Sequence, residues 1–448
     1  MYVSRKKVKF LLKDLYISKP KYFLPIPTVM RIMSVNFLPW NCVRNVCYYF
    51  FSAFYMTKTK YASLLVAGML MSCGEDNPSA PEAGYLVSAE KINTYSLAEL
   101  KTLVQLTGQS GFSSLVTYGI STYKVTYHTT FQQKRIKASG LLFLPEANPD
   151  PAPFISLQHG TMFIKEQAPS ASGDFSGMEY FASAGYIAVM PDYIGYGSSS
   201  DVFHPYYDRT TSALSVIDLI KATQEFLTKQ KVTFNEQLFL AGYSEGGYVT
   251  LAAAHELETN PEHGLTITAV AAGAGGYDLE EMLRNITTQD YYAYPSYLAF
   301  VVMSYNNTYQ WNKPLNYFFR DKYAAALETY MNGDYDGWQI NAKLTTDVPS
   351  LLSPDFLERL RTEGEETEFK NALKENSLSG WKTSIPMKLY HGTKDEIIPY
   401  QNSQIALDNF KKAESADVTL TLIENGTHGS SYIPMLKQFV PWFESLRE

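Results

Sequence analysis

The pattern of apolar and polar positions alternates, from about Leu97 onward, between short apolar runs and longer amphipathic stretches. Short apolar runs bounded by Gly, Pro or Asp favour buried strands, whereas apolar positions three and four residues apart favour helices. A regular alternation of the two is typical of a mostly parallel sheet flanked by helices. The sequence therefore predicts an α/β fold in one large domain, residues 96–448.

The predicted strands share an apolar or alternating pattern that stops at a turn-forming residue, and the first two form an antiparallel pair. They are Val125–Phe131, Ile136–Leu144, Phe154–Gln158, Tyr186–Met190, Gln237–Ala241, Ile267–Ala272, Met387–Tyr390 and Leu420–Ile423. Amphipathic stretches predict helices at Ala213–Thr228, at Tyr248–Leu257 and around Met435–Leu446. Helices between successive strands are what parallel strand pairing requires.

More than a hundred residues separate the strand that ends near Gly276 from the strand that begins at Met387. The pattern there is mainly helical, which predicts an insertion at about 277–385 that forms a helical cap within the same domain. The insertion is rich in aromatic residues, which either line an apolar substrate pocket or form ordinary core between helices. They are Tyr291, Tyr292, Tyr294, Tyr297, Tyr305, Tyr309, Trp311, Tyr317, Phe318 and Phe319.

Residues 56–72 have the pattern of a signal peptide with its own start. A short basic segment begins at Met56, an apolar run spans Tyr61–Met71, and the small residue Ser72 precedes Cys73. The ending resembles a bacterial lipoprotein signal, which implies that Cys73 is acylated and becomes the mature N-terminus. The apolar run is too short for an ordinary membrane-spanning helix.

This interpretation makes residues 1–55 an upstream extension that is absent from the native protein, with Met56 as the true start. A genuine membrane-associated extension is the alternative, and mass analysis of the N-terminus separates the two. Residues 73–95, with Pro78 and Pro81, are predicted to be a tether. The expected location is the bacterial cell envelope, as an outer-membrane lipoprotein facing the periplasm or the exterior and contacting the membrane only through its lipid anchor.

Charge and cysteine content exclude several classes of partner and of catalytic site. Residues 73–448 carry 27 basic and 44 acidic residues, a net charge of −17, which argues against nucleic acid or anionic membrane as a partner. The only cysteines are Cys42, Cys47 and Cys73. Cysteine catalysis, a zinc–thiolate site and a disulfide are therefore excluded from the main domain, and no metal site is expected.

The segment Gly242-Tyr243-Ser244-Glu245-Gly246 fits the pattern G-x-S-x-G and lies between a predicted strand and a predicted helix. In this arrangement the serine lies on a sharp turn with its hydroxyl projecting, and the glycines avoid collisions with neighbouring elements. The N-terminus of the following helix directs its amides toward a developing oxyanion. Ser244 is therefore the candidate nucleophile.

The other members of a catalytic triad are expected in the chain order serine, acid, histidine. His428 is the only one of the seven histidines that follows the last predicted strand, so it is the candidate base. The acid is expected after the penultimate strand, where Asp395 is the first choice and Glu396 a weaker one. Asp278, after the strand before that, is a third alternative.

Two backbone amides are expected to stabilise the oxyanion. One is the N–H of Glu245, the residue after the nucleophile. The other comes from the loop after Phe154–Gln158, where Gly160 allows the chain to turn an amide inward. Thr161 is the predicted second donor, with Met162 as the alternative.

Five segments together resemble the secretory-lipase-like branch of the α/β-hydrolases. They are Gln158–Thr161, Pro191–Gly197, His204–Tyr206, Gly242–Gly247 and His391–Asp395. The resemblance covers about residues 120–445 and implies hydrolysis of a small-molecule ester through an acyl-serine intermediate, without a cofactor and beneath a helical cap. The cysteine pairs of some secreted relatives are missing and the cap has no recognisable substrate pattern, so the acyl chain length stays open. His159, His204 and Asp192 are interpreted as structural.

Two other functions remain open. A serine aminopeptidase of the prolyl-oligopeptidase-like type uses the same fold and triad, but residues 74–120 are too few for the large N-terminal propeller that such enzymes usually carry. An aminopeptidase with only a cap would need no propeller. A lipid-anchored binding protein on a hydrolase scaffold would be non-catalytic, and it predicts a broken triad or a blocked site. The sequence does not determine the oligomeric state.

Overall fold

The computed structural model describes residues 84–106, 110–173 and 175–448. Within these residues the chain forms one nine-stranded sheet, with the strands in the spatial order 1-2-3-5-4-6-7-8-9. The strands, numbered along the chain, are β1 (Leu86–Tyr95), β2 (Ile120–Phe131), β3 (Lys134–Pro145), β4 (Ala152–Gln158), β5 (Ile187–Pro191), β6 (Phe234–Tyr243), β7 (Ile267–Gly273), β8 (Met387–Gly392) and β9 (Val418–Ile423).

Strand pairing confirms the mostly parallel sheet. The pairs β1–β2, β2–β3 and β3–β5 are antiparallel, and every pair from β5 across to β9 is parallel. All eight predicted strands are present. The carboxyl ends of β4, β6, β8 and β9 therefore meet at one rim of the sheet, where loops that follow parallel strands place functional side chains.

The predicted tether at residues 73–95 is wrong at its C-terminal end. Residues Leu86–Tyr95 form strand β1, which pairs with β2 at the edge of the sheet. Most of its side chains are half-buried or exposed, because an edge strand that packs only partly on the core needs few apolar residues. The low apolar content that predicted a linker is explained by this edge position.

The helices flank the sheet and fill the connections between its parallel strands. They are α1 (Leu97–Leu106), α2 (Pro169–Ser172), α3 (Glu179–Ser183), α4 (Arg209–Gln230), α5 (Glu245–Thr259), α6 (Leu279–Gln289), α7 (Pro295–Thr308), α8 (Leu315–Phe318), α9 (Asp321–Tyr330), α10 (Gly337–Asn341), α11 (Val348–Leu351), α12 (Pro354–Arg361), α13 (Thr367–Asn376), α14 (Gln401–Lys412) and α15 (Tyr432–Leu446). The three predicted helices correspond to α4, α5 and α15.

Both faces of the sheet are covered. Successive residues of β4 point to opposite sides, so that Phe154 joins a core shared with α4 and α5 while Ile155 joins a core shared with α15. Two-sided burial explains why the central strands read as continuous apolar runs. The rigid centre of the sheet fixes the positions of the loops at its carboxyl rim.

The segment between β7 and β8 contains eight described helices, α6 to α13. Tyr305, Phe318 and Phe319 from this segment are fully buried and belong to its core, whereas Tyr291 is 58% exposed. Tyr305, Phe318 and Phe319 are therefore ordinary core between helices and do not line a substrate pocket.

The predicted extension at 1–55, the signal peptide at 56–72 and the lipidation site Cys73 lie outside the described residues. In the part of the chain that the structure does describe, every helix is too short or too polar to cross a membrane.

Candidate active site

Ser244 lies on a sharp turn between strand β6 and helix α5. Its backbone has φ +62° and ψ −127°, a conformation that non-glycine residues rarely adopt. The turn is held by a hydrogen bond from the Ser244 N–H to the carbonyl of Gly273 and by bonds from Gly247 and Tyr248 to the Ser244 carbonyl. A strained turn of this kind at the serine is what the strand–serine–helix pattern predicts.

The glycines around Ser244 let three backbone segments approach closely. A Cβ atom on Gly246 would lie 2.1 Å from the carbonyl oxygen of Gln158, and one on Gly242 would lie 2.2 Å from the carbonyl oxygen of Gly246. Both distances are far below a carbon–oxygen contact, so neither position accepts a side chain without backbone movement. These close contacts hold the turn against the end of β4.

The structure brings Ser244, His428 and Asp395 together. The Nε2 atom of His428 lies 2.8 Å from the Ser244 Oγ, and its Nδ1 lies 2.7 Å from the Asp395 Oδ2. A carboxylate only accepts, so the Nδ1–H donates to Asp395 and the Nε2 lone pair is free to accept the serine proton. This is the arrangement of a nucleophile, a base and an orienting acid.

Asp395 is fully buried and well supplied with donors. Its Oδ1 accepts the N–H groups of Ile397 and Ile398, and the Nε2 of His391 lies 3.2 Å from its Oδ2. Burial by itself raises the pKa of the carboxyl group, but hydrogen bonds from His391 and His428 outweigh it and hold the pKa well below its usual range. Asp395 therefore stays ionised next to the imidazole.

The two alternative acids occupy other positions. The Glu396 carboxylate accepts the backbone N–H of His428 at 3.1 Å and so supports the loop rather than the ring. Asp278 accepts the N–H of Glu281 and caps the N-terminus of helix α6. Of the three candidates, Asp395 is the one whose carboxylate accepts from the imidazole of His428.

The predicted oxyanion donors flank the nucleophile. A Cβ atom built on Gly160 would lie 3.7 Å from the Ser244 Cβ, so the loop after β4 runs directly beside the serine. Thr161 follows Gly160 in this loop, and its hydroxyl lies 3.0 Å from the Tyr206 hydroxyl. Glu245 begins helix α5, where its backbone N–H belongs to the unpaired first turn.

A set of contacts that the sequence reading did not assign braces this loop. The hydroxyl of Tyr193 donates to the carbonyl of His159 at 2.9 Å, and the hydroxyl of Tyr196 donates to the carbonyl of Met162. The imidazole of His159 stacks on Tyr193, with 4.0 Å between ring centroids. The run of tyrosines after β5 was visible in the sequence, but nothing in it indicated that their hydroxyls reach the loop after β4.

Comparison with known proteins decides the family. Residues 178–442, more than half of the chain, match the secretory lipase family. The chain belongs to the secretory lipase family. Membership supports the hydrolysis of esters as the class of activity and suggests export. No curated protein matches the chain.

Solved structures share the fold of this secretory lipase family member. A candidate hydrolase from Legionella pneumophila has a TM-score of 0.73 and 26% identity, over 81% of this chain and 98% of that one. The rice cell wall degrading esterase LipA from Xanthomonas oryzae has a TM-score of 0.69 and 24% identity, over 81% and 97%. Candida antarctica lipase A in its closed state has a TM-score of 0.61 and 15% identity, over 82% and 83%.

An apolar cavity of about 50 Å³ opens at Ser244 in this secretory lipase family member. Its walls come from the nucleophile turn, the acid loop and the helical insertion. The lining residues are Tyr206, Tyr207, Ser244, Leu279, Met282, Leu283, Ile286, Tyr292, Tyr297, Leu298, Val301, Phe369, Leu373, Ile397 and Ile398. Tyr292 and Tyr297 therefore belong to the pocket, unlike the insertion tyrosines that fill the core.

A larger cavity of about 180 Å³ adjoins the first and shares four of its lining residues. The shared residues are Met282, Ile286, Tyr292 and Ile397. Its other walls carry carboxylates and amides, including those of Glu281, Asn285, Gln289, Glu396 and Gln401. The two cavities thus differ in polarity: the one beside the serine is almost entirely apolar, whereas the larger one combines apolar walls with carboxylates and amides.

Proposed function

We propose that the protein is a serine esterase that cleaves carboxylic esters through an acyl-serine intermediate at Ser244. The observation that carries this proposal is the placement of one imidazole, His428, between the Ser244 hydroxyl at 2.8 Å and the Asp395 carboxylate at 2.7 Å. Geometry of this kind supports nucleophilic catalysis because it activates a hydroxyl that is otherwise a weak nucleophile.

In the proposed first step, the Ser244 Oγ attacks the ester carbonyl carbon while His428 Nε2 takes its proton. The resulting oxyanion accepts hydrogen bonds from the backbone N–H groups of Glu245 and Thr161. As the carbon–oxygen bond to the alcohol breaks, His428 returns the proton to the leaving oxygen. Water, deprotonated by the same imidazole, then hydrolyses the acyl-serine and regenerates the hydroxyl.

A fluorophosphonate probe tests the proposal, because it reacts only with an activated serine. We expect stoichiometric labelling of the full-length protein, with the label on the peptide that contains Ser244. Parallel assays on p-nitrophenyl esters and aminoacyl p-nitroanilides should give turnover of the esters alone. Faster turnover of the anilides would identify an aminopeptidase instead, and no labelling would favour a non-catalytic binding protein.

The size of the apolar cavity predicts a preference for short acyl groups. Pockets that hold drug-sized ligands measure roughly 300–1,000 Å³, so a cavity of about 50 Å³ accommodates only a small group. We propose that the acyl chain enters this cavity and that the alcohol lies toward the larger, more polar of the two cavities.

In a chain-length series of p-nitrophenyl esters, kcat/KM should be highest between acetate and butyrate and fall about tenfold or more by decanoate. Each methylene that finds no apolar space forfeits about 0.8 kcal/mol of burial. An optimum at decanoate or longer would contradict this assignment of the cavity.

We also propose that acylation of Cys73 anchors the enzyme to the cell envelope. The support is the signal-like pattern of residues 56–72, together with a family whose description implies export. The acidic charge of residues 73–448 is consistent with contact to the membrane through the anchor alone. A mature N-terminus other than acylated Cys73 would contradict this.

A further inference from the structure

A buried pair of side chains, Glu245 and His204, lies next to the proposed oxyanion site. The side chain of Glu245 is 2% exposed, and its Oε1 lies 2.8 Å from the Nε2 of His204, which is 7% exposed. Glu245 is the residue whose backbone N–H is proposed to bind the oxyanion. Its carboxyl group lies within about 6 Å of that nitrogen, since only three side-chain bonds separate the carboxyl carbon from the backbone.

The hydrogen bonds of His204 fix the number of protons in the pair. Its Nδ1 lies 2.6 Å from the carbonyl oxygen of Ile194, which can only accept, so Nδ1 carries a proton. At 2.8 Å, a proton also lies between Nε2 and Glu245, because two lone pairs would repel each other. Whether the pair is imidazolium and carboxylate or imidazole and carboxylic acid, its net charge is zero.

The Glu245 carboxyl acts electrostatically on six other titratable groups, and none of the six supplies a positive charge. They are His159 and five tyrosine hydroxyls. Burial lowers the pKa of His159 and raises the pKa of each tyrosine, so all of them are neutral. Those tyrosines are Tyr193, Tyr196, Tyr206, Tyr207 and Tyr297. Asp192 acts on His159 and has its own hydrogen bonds from Ser139 and Ser170.

His204 and the aromatic rings around it contact the side chains of both residues that supply the proposed oxyanion donors. The His204 ring is surrounded by Tyr196, Phe300, Tyr206 and Tyr193 at centroid distances of 4.8 to 6.1 Å. Tyr206 reaches the Thr161 hydroxyl, while His204 reaches Glu245. Gly195 permits this packing, because a Cβ there would lie 2.5 Å from the His204 Cα.

We infer that His204 is a positioning residue, which shares one proton with Glu245 and thereby keeps the carboxyl group beside the oxyanion site neutral. The inference rests on the proposed mechanism, in which negative charge develops at the Glu245 N–H. The oxyanion lies one hydrogen bond beyond that nitrogen, so an unneutralised carboxylate would repel it from roughly 6 to 9 Å. At an effective dielectric of about 20 this repulsion corresponds to roughly twenty- to hundredfold in rate.

The test compares His204→Gln, Glu245→Gln and the double variant with the wild type, measuring kcat and KM for p-nitrophenyl acetate between pH 6 and 9. His204→Gln leaves the carboxylate without a cationic partner, and kcat should fall about ten- to hundredfold with KM nearly unchanged. Glu245→Gln removes the carboxyl group but leaves an amide that can donate to the His204 Nε2, and its kcat is the reference for the double variant. The double variant removes the charge and should recover at least about tenfold over His204→Gln.

The recovery in the double variant and the separate effects on kcat and KM distinguish this role from mere packing. A packing defect at position 204 would slow the double variant as much as His204→Gln, whereas a charge effect disappears with the carboxyl group. His263 pairs with Glu256 at 3.0 Å far along helix α5, so His263→Gln is the matched control and should leave kcat unchanged.

Each outcome bears on one claim. A wild type that neither turns over esters nor reacts with the fluorophosphonate contradicts the proposed function. An active wild type with an equally active His204→Gln, or a double variant as slow as His204→Gln, overturns the role of His204 alone. If His204→Gln does not fold, His204→Asn, which keeps the hydrogen bond to Ile194, takes its place in the same comparison.

Discussion

Replacing Ser244 with alanine is expected to lower kcat for p-nitrophenyl acetate by about 10⁴- to 10⁶-fold. The substitution removes the only atom proposed to form a covalent bond to the acyl group, and in such enzymes loss of the nucleophile costs about as much as loss of the whole triad. The remaining rate would come from the oxyanion donors and from binding. Turnover is measured by release of p-nitrophenol with the purified full-length protein.

The fold should tolerate this change. Alanine at 244 retains the Cβ and the strained backbone, so the thermal unfolding midpoint should move by no more than a few degrees. Ser445→Ala, a serine on helix α15 whose hydroxyl bonds only to the carbonyl of Trp442, is the control and should keep full activity. Turnover by Ser244→Ala within tenfold of the wild type would contradict the nucleophile assignment.

Replacing Asp395 with asparagine is expected to lower kcat by about 10³- to 10⁴-fold. The carboxylate accepts the Nδ1–H of His428, and this bond leaves the Nε2 lone pair facing Ser244. Asparagine can instead donate its N–H₂ to Nδ1, which favours the opposite tautomer and places a proton where the serine proton must go. It also removes the charge that stabilises the imidazolium formed during attack.

Glu396→Gln is the matched control for Asp395→Asn. Glu396 is the neighbouring carboxylate and accepts only the backbone N–H of His428, so an amide oxygen can replace it. We expect its kcat to remain within about tenfold of wild type. An equal loss in Glu396→Gln and Asp395→Asn would mean that the loop needs both carboxylates, and the assignment of Asp395 as the orienting acid would fail.

The sequence predicted the elements of the sheet because their signals are local. The central strands β4, β5, β7 and β8 carry runs whose apolar character follows directly from burial on both faces. Strand β1 was missed because it lies at the edge, where its side chains remain half-buried or exposed and its pattern resembles a linker.

The candidate nucleophile was predictable for a similar reason. Gly242, Ser244 and Gly246 lie within five residues, and the close contacts that require the two glycines arise from the strand–turn–helix geometry itself. His428 followed from the fixed chain order, which limited the choice to residues after the last strand. For the acid, three carboxylates lie between Ser244 and His428 after one of the last strands. Asp395 and Glu396 are neighbours in the same loop, so their position in the chain alone does not separate them.

Thus the sequence by itself determined the α/β class, the turn at Ser244 and the loops that supply the other site residues. These properties depend on apolar periodicity and on the conformations that short segments can adopt. Only the tertiary structure decided which carboxylate meets His428, that His204 pairs with Glu245, and which insertion aromatics line a cavity and which fill the core. Those outcomes depend on distances between atoms far apart in the chain, and such distances are set by how the elements pack together.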